Sequence, residues 1–361
     1  MQHADLTELS SLFRGLGYLI PNTRRMLTEL TLHLGVYLVG LWIYLSQGCT
    51  PLGWVGILAS ALGSLGVSTN IHTASHGALF RSRRLNQLFV YLGYPLLLGL
   101  PATYWMRKHC EVHHPNPNVV GVDEDIDFTP FLALHTADYR AASRVRRTYY
   151  EYQWVVVPFA IALNAFNMQR LGMLALWRQM ASQGPRARTA LDIVCLLGHV
   201  SWAVVLPALV YSTAPALACY ALRSVVLSYL VFALFAPAHL PAEALCTEQP
   251  PRHLSFVARQ VLTTLNFRMP ALARLFACGL DHQIEHHLFP RIDHTRYLAM
   301  SPEVRAFCQA HELPYRELGW GEALRKSCVP FFRPKPPSTL LSAPHASSSS
   351  AHPLPAGRSA V

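Results

Sequence analysis

Three short segments carry histidines at spacings that suit metal coordination. His72 and His76 lie in NIHTASHG, His109, His113 and His114 in KHCEVHHPNPN, and His286 and His287 in DHQIEHHLFP, just after His282 and Gln283. On a helix, residues four apart share one face, so His72 and His76 can offer two nitrogens to one ion. An HxxxH pair alone is equally an ordinary polar contact. The i, i+4, i+5 trio points imidazoles in two adjacent directions and is harder to read as a solvated face. Seven or eight neutral nitrogen donors exceed the four that one zinc takes and suit two metals. With only Cys110 among them, an iron–sulfur centre is not suggested, and imidazole alone does not separate iron from zinc, copper or nickel.

These donors sit in a chain of 361 residues with 30 Lys+Arg and 20 Asp+Glu, a net charge of +10 and 18 His. Only 14% of residues are charged and 52% are hydrophobic, with a mean hydropathy of +0.23. A soluble protein carries roughly 25% charged residues. The composition excludes disordered, collagen-like and nucleic-acid-arm classes and favours a membrane-embedded enzyme or transporter. The eight cysteines are scattered without a CxxC pair, which argues against a disulfide framework or zinc ribbon and for a reducing side. Residues 1–29 lack the basic start and apolar core of a cleaved signal and read as a cytoplasmic N-terminal segment.

Apolar stretches predict spans at about 30–47, 52–70, 193–211 and 216–236, each pair joined by a short uncharged turn. Arginines at 24, 25, 81, 83, 84, 186 and 188 flank the opposite ends, so the positive-inside rule places both termini and the long connections in the cytoplasm. The expected fold is an all-α integral membrane protein, two helical hairpins with a cytoplasmic helical cap that holds a dimetal site. Residues 30–330 form that membrane domain. Residues 331–361, rich in Pro and Ser, read as a disordered tail. The 88–101 stretch is too short to span and reads as re-entrant or interfacial. Residues 154–177 read as an interfacial helix, broken by Asn164, Asn167, Gln169 and Arg170, with a fifth span as the rival. Parity favours the former, because the three clusters meet only if an even number of crossings separates them.

HTASH, HCEVHH and QIEHH resemble the three histidine boxes of the membrane fatty acid desaturase family. The surroundings DHQIEHHLFPRIDH and HHPNPNVVGVDEDID look like its front-end and acyl-lipid branch, over roughly residues 50–315. The resemblance implies two iron ions, O2 as co-substrate, and desaturation of a fatty acyl chain with externally supplied electrons. Carried over, it makes His72, His76, His109, His113, His114, His286 and His287 ligands, and His239 in FAPAHLPAE matches an additional family ligand. Gln283 opens the third box where other branches have His, which makes it a candidate partner of a ligand or of water. His282, four residues before His286, can face the same way and is a further candidate partner of a ligand, with a bystander as its plainer reading. The usual Gly-Gly-Leu before the box reads Cys278-Gly279-Leu280. No HPGG haem motif occurs in the first 70 residues, so the expected electron source is a separate ferredoxin or cytochrome b5-type protein, for which the basic cytoplasmic face offers a dock.

Around the boxes, Asp123, Asp125 and Asp127 in GVDEDID are candidate acceptors for the far N–H groups of ligand imidazoles, or simply an exposed acidic turn. Tyr104 and Trp105 are either walls of an acyl tunnel or interfacial anchors. His33 and His199 read as packed or hydrogen-bonded, and Arg223 as snorkelling toward the outer surface. Sibling chemistries on the same scaffold (hydroxylation, acetylenic bond formation, ketolation) and, from another class, a His-rich metal transporter are the alternatives. An inner bacterial or ER-type membrane, a lipid or acyl substrate and no nucleic acid complete the expectation. Regioselectivity, chain length, acyl carrier and oligomeric state are not written in these motifs.

Overall fold

A computed structural model describes residues 5–338 and Leu341. Four helices are long and apolar enough to cross a membrane: α1 (Thr23–Gln47), α2 (Pro51–Ser75), α7 (Ala187–Tyr211) and α8 (Thr213–His239). Each extends beyond the apolar run that announces it. α2 continues five residues past the expected end, which carries His72 within the helix and leaves His76 at its cap. Between these pairs the chain forms α3 (Arg83–Leu97) and α4 (Ala102–His113), bent by 115° at a short break. It then forms a short apolar helix α5 (Gln153–Ala162) and α6 (Asn164–Gln183), neither of which is among the four.

α1 and α2 run antiparallel at backbone contact. Hydrocarbon gives apolar helices no reason to prefer one another over lipid, so close packing through small residues holds them. A Cβ on Gly63 would fall 2.3 Å from the Tyr37 nitrogen, and one on Gly40 would fall 2.4 Å from the Ser60 nitrogen. α8 packs on α2, and Arg223 joins them. Its guanidinium is buried, donates to Tyr37 Oη at 2.8 Å and Ser64 Oγ at 3.1 Å, and lies over the Tyr37 and Tyr220 rings. The snorkelling expectation is therefore corrected: with hydroxyls and ring faces inside reach, the charge turns inward.

The bend between α3 and α4 frees backbone carbonyls at depth, where no water can bond them. Side chains from other helices take their place. His199 Nδ1 lies 3.1 Å from the Leu96 oxygen, to which Trp202 Nε1 also donates at 2.7 Å. Tyr37 Oη reaches the Leu97 oxygen at 3.3 Å and Gln169 Nε2 the Leu98 oxygen at 2.9 Å. On the far side of the bend, the buried Asp192 carboxylate of α7 accepts the N–H groups of Ala102 (2.7 Å) and Thr103 (3.1 Å) and so caps α4.

The remaining chain forms a cap over one end of the helices. It includes α9 (Phe256–Thr263), α10 (Gln283–Leu288) and α11 (Tyr297–Ala310), with a two-stranded parallel sheet of β1 (Asn266–Arg268) and β2 (Glu317–Gly319). His294 ties this cap to the spans, with Nε2 2.8 Å from Glu29 of α1 and Nδ1 2.7 Å from Thr73 of α2. The region read as a disordered tail begins differently. Phe331 is buried among Leu132, Leu134 and Val157, and Lys335 donates to the carbonyls of Pro241 and His239 at 2.9 and 3.3 Å and to that of Ala244. One buried phenylalanine and one lysine bonded to three carbonyls dock this stretch despite its proline content. Residues 339, 340 and 342–361 lie outside the described residues.

Gly63→Leu should force α1 and α2 apart, at an overpacking cost of about 2–3 kcal/mol. Its melting point in detergent should fall by roughly 5 °C or more. Gly35→Leu, on the same pair of helices but with nothing within 4 Å of its Cβ position, should leave the melting point unchanged or slightly raised. Equal melting points for the two variants would contradict the glycine-packing account.

Candidate metal centre

The eight histidines implicated by the sequence arrive from four places. α2 supplies His72 and His76, α4 and its cap residue supply His109, His113 and His114, the last residue of α8 is His239, and α10 supplies His286 and His287. The second half of α4, Met106–His113, is wound as a π-helix. Its wider turn suits a segment that must aim His109, His113 and His114 at a common interior.

They gather into two adjoining groups, His72, His76, His109, His114 and His286 in one and His113, His239 and His287 in the other. Within each group the ligand nitrogens lie within 4.8 Å of one another. In the first, His109 Nε2 lies 2.7 Å from His72 Nε2 and 3.2 Å from His114 Nε2, and His286 Nε2 is 3.1 Å from His114 Nε2. In the second, the His113 ring centroid is 4.8 Å from that of His239 and 5.1 Å from that of His287. The groups touch where His114 stacks on His287 at 4.4 Å.

Seven of these side chains are buried and His76 is half-buried. His76 Nε2, His114 Nδ1, His239 Nδ1 and His287 Nε2 have no hydrogen-bond partner among the described residues. Buried polar atoms ordinarily find one, and leaving several orphaned together is costly. Burial, and after it the neighbouring imidazoles, hold His114, His286 and His287 well below the usual imidazole range. They are therefore neutral, with lone pairs free. Clustered neutral donors around a dry space fit a pair of divalent cations, and the all-nitrogen set suits iron or zinc.

Outer partners fix the rings. Asp123 accepts the N–H groups of Asn118 (2.8 Å) and Asp125 (2.9 Å) and lies 2.9 Å from His113 Nδ1. Burial opposes its charge, but the His113 ring beside it brings the carboxyl below its ordinary range. Asp125 stands 3.3 Å from His109 Nδ1 and pairs with Lys108. Trp105 stacks on His109 at 4.7 Å and packs against Tyr94 at 4.8 Å, so it borders the centre. Tyr104 lines a neighbouring cavity of about 1100 Å³ that also includes His76.

Other expectations are corrected. Asp127 turns away and accepts from Thr129 N and Oγ1 in an exposed turn, since the chain reverses direction within DEDID. His282 belongs to neither group and binds Ser301 Oγ at 3.0 Å through Nδ1. Gln283, buried at the start of α10, makes no hydrogen bond to any of the eight imidazoles. Gln260 of α9 takes the place foreseen for Gln283. Its Oε1 lies 2.8 Å from His287 Nδ1, and its amide donates to the His114 oxygen at 2.9 Å. Tyr297 Oη lies 3.1 Å from His286 Nδ1. The only hint of Gln260 in the sequence is a polar residue on the otherwise apolar face of FVARQVLTTL.

Comparison with known proteins agrees with this geometry. The family model described as fatty acid desaturase matches residues 50–319, which contain all eight histidines. The chain is 25% identical over 302 residues to a Delta(8)-fatty-acid desaturase of Borago officinalis, covering 78% of this chain and 62% of the relative. It is 31% identical over 254 residues to an acyl-lipid (7-3)-desaturase of Diacronema lutheri, and 28% identical over 255 residues to a Delta(5) fatty acid desaturase of Caenorhabditis elegans. These matches cover 68% of this chain and 55% of either relative. The chain thus spans less than two thirds of the length of each of these three. With a matching model over most of its length and the histidines of all three boxes brought together in space, the chain belongs to the fatty acid desaturase family.

Proposed function

We propose that the protein is an oxygen-dependent desaturase of fatty acyl chains, with two irons held by His72, His76, His109, His114 and His286 on one side and His113, His239 and His287 on the other. The observation that carries the reading is the division of eight imidazoles into adjoining groups of five and three. Bound there, the irons supply the capacity to activate O2 and to remove hydrogen from adjacent methylenes. The overall change, CH2–CH2 + O2 + 2 e⁻ + 2 H⁺ → CH=CH + 2 H2O, requires a separate electron-transfer protein. The arginines flanking the spans support, by the positive-inside rule, a cytoplasmic position for this end of the protein, where such a donor is met.

The protein's own part is positioning. An unactivated methylene offers no acidic proton and no leaving group, so side chains act by fixing geometry and excluding water. Asp123, Gln260 and Tyr297 hold the imidazoles in one orientation through their far nitrogens. Val90, Tyr91, Tyr104 and Leu176 give the cavity beside His76 an apolar wall against which an acyl chain can lie.

Expression in a desaturase-poor host should yield fatty acids lighter by two hydrogens, with the double bond located by mass spectrometry. The purified protein should hold about two irons per chain. His113→Ala and His286→Ala should abolish the product. A protein free of iron, or variants with unchanged product, would refute the reading, and a product heavier by one oxygen would assign a hydroxylase instead.

Asp123→Asn and Gln260→Leu should each retain the fold but bind iron about 10–100-fold more weakly. Iron titration against a chelator measures this. Asp127→Asn should match the unmodified protein, and a loss of iron in that variant would show that the turn has been misassigned.

A further inference from the structure

A second set of donors stands where the cap meets α1 and α2, and the histidine centre makes no use of it. Glu29 of α1, Cys278 after the short helix Ala271–Ala277, and His294 between α10 and α11 bring one oxygen, one sulfur and one nitrogen within 4.8 Å of one another. Cys278 and His294 are buried, and the Glu29 side chain is 17% exposed. Donors around a tetrahedral zinc stand about 3–4 Å apart, so these three close on one ion with side-chain movements of about an ångström.

Hydrogen bonding accounts for only part of this set. His294 Nε2 lies 2.8 Å from Glu29 Oε2, and Arg25 donates to Glu29 Oε1 at 2.9 Å. Two groups are left over. Cys278 holds a φ of +45°, a left-handed backbone that glycine adopts freely and a β-carbon disfavours. It replaces the first glycine of the usual Gly-Gly-Leu, so its thiol is placed at a backbone cost that glycine would avoid. The Asn70 amide nitrogen donates to Cys278 Sγ at 3.2 Å and lies 2.8 Å from His33 Nδ1. Yet Asn70 Oδ1 and His33 Nε2, on two fully buried side chains, have no hydrogen-bond partner among the described residues. Orphaned polar atoms are costly there, and a cation is the one ligand that suits oxygen, sulfur and nitrogen lone pairs together.

Charge and donor type narrow the choice of cation. Burial pushes the Cys278 thiol up, so it gives up its proton only to an ion that compensates the charge. A dication held by one thiolate and one carboxylate forms a neutral complex, the form that burial penalises least. Magnesium and calcium take oxygen donors, whereas imidazole, thiolate and carboxylate in one set suit zinc. Thr73 Oγ1, 2.7 Å from His294 Nδ1, can accept the far N–H of that ring and turn the Nε2 lone pair toward Glu29.

We propose that Glu29, Cys278 and His294 form a structural site for a zinc-like divalent cation that clasps the cap to α1. Binding exchanges the thiol proton for the ion, M2+ + Cys–SH → M2+–S–Cys + H+, with no change of oxidation state. Through His294 and Thr73 the clasp braces α2 one residue from His72.

The test is a cobalt titration of the purified, iron-loaded full chain in nanodiscs, followed by absorbance. About one added Co2+ per chain should produce the near-ultraviolet charge-transfer band of a cobalt thiolate, which an all-imidazole centre does not give. Cys278→Gly suits the left-handed backbone and so keeps the fold; it should abolish the band and leave the iron content unchanged. Glu29→Gln should raise the cobalt dissociation constant about tenfold or more. Zinc at about a hundredfold excess over its dissociation constant should raise the melting point of the unmodified protein by roughly 5 °C and that of Cys278→Gly not at all. Absence of the band, its persistence in Cys278→Gly, unchanged cobalt affinity in Glu29→Gln, or equal zinc shifts in the two proteins would overturn the proposal and leave the cluster a hydrogen-bonded joint.

Discussion

Eight imidazoles share one interior, and that crowding is the constraint on which the rest of the structure depends. Their nitrogens face one another at hydrogen-bond distance, and several have no hydrogen-bond partner among the described residues. Such an arrangement does not assemble by hydrophobic burial, because each ring placed there gives up hydration without gaining a partner. It persists because rigid neighbours leave the rings no alternative. Asp123, Gln260, Tyr297 and the Trp105 face each remove a rotation from one imidazole, and helices that are themselves pinned remove the translations.

Pinning explains the polar groups deep among the spans. The break between α3 and α4 turns the chain back toward the centre and so delivers the second histidine box. A broken helix in hydrocarbon is tolerated only if other side chains replace its lost bonds. His199, Trp202, Tyr37 and Gln169 do this on one side of the break, and Asp192 does it on the other. Residues that look like intramembrane curiosities are therefore fasteners of α4. Their distance from the imidazoles does not make them dispensable, since a shift of α4 moves three of the eight rings together.

What could be read from the sequence follows the range of each signal. The boxes and the four spans are local patterns, a spacing of four on one helix and runs of apolar residues, and both are visible without tertiary information. That 88–101 does not run on as one straight span was also legible, because its length falls short of a bilayer, and the chain bends by 115° at its end. Gln260 was not, as one glutamine in an apolar helix gives no indication of which distant imidazole it faces. Asp123 and Asp127 are indistinguishable in GVDEDID until the turn is known, and it directs the first inward and the second to solvent. Arg223 was misread for a related reason: proximity to a helix end suggested the surface, while Tyr37 and Ser64 on two other helices supply the nearer partners. Phe331 and Lys335 were hidden by the composition of the proline-rich stretch around them.

α2 connects these levels, because the helix that packs on α1 through Gly63 and on α8 through Arg223 is the one that ends in His72 and His76. Its cap residue His76 belongs to the five-membered group and also lines the cavity that Tyr104 borders. Helix packing, metal geometry and access for a ligand thus meet on one rigid rod. A helix extended past the apolar run has an advantage over a loop here, since each further residue is held by the backbone ladder of those before it. The two ring positions are then set by the same contacts that set the span. On the proposed function, a chain lying along the cavity wall and a metal held by the five-membered group would share one reference point, the end of α2. Such a shared reference would let a floppy methylene chain be presented at a fixed place without a polar group of its own to steer it.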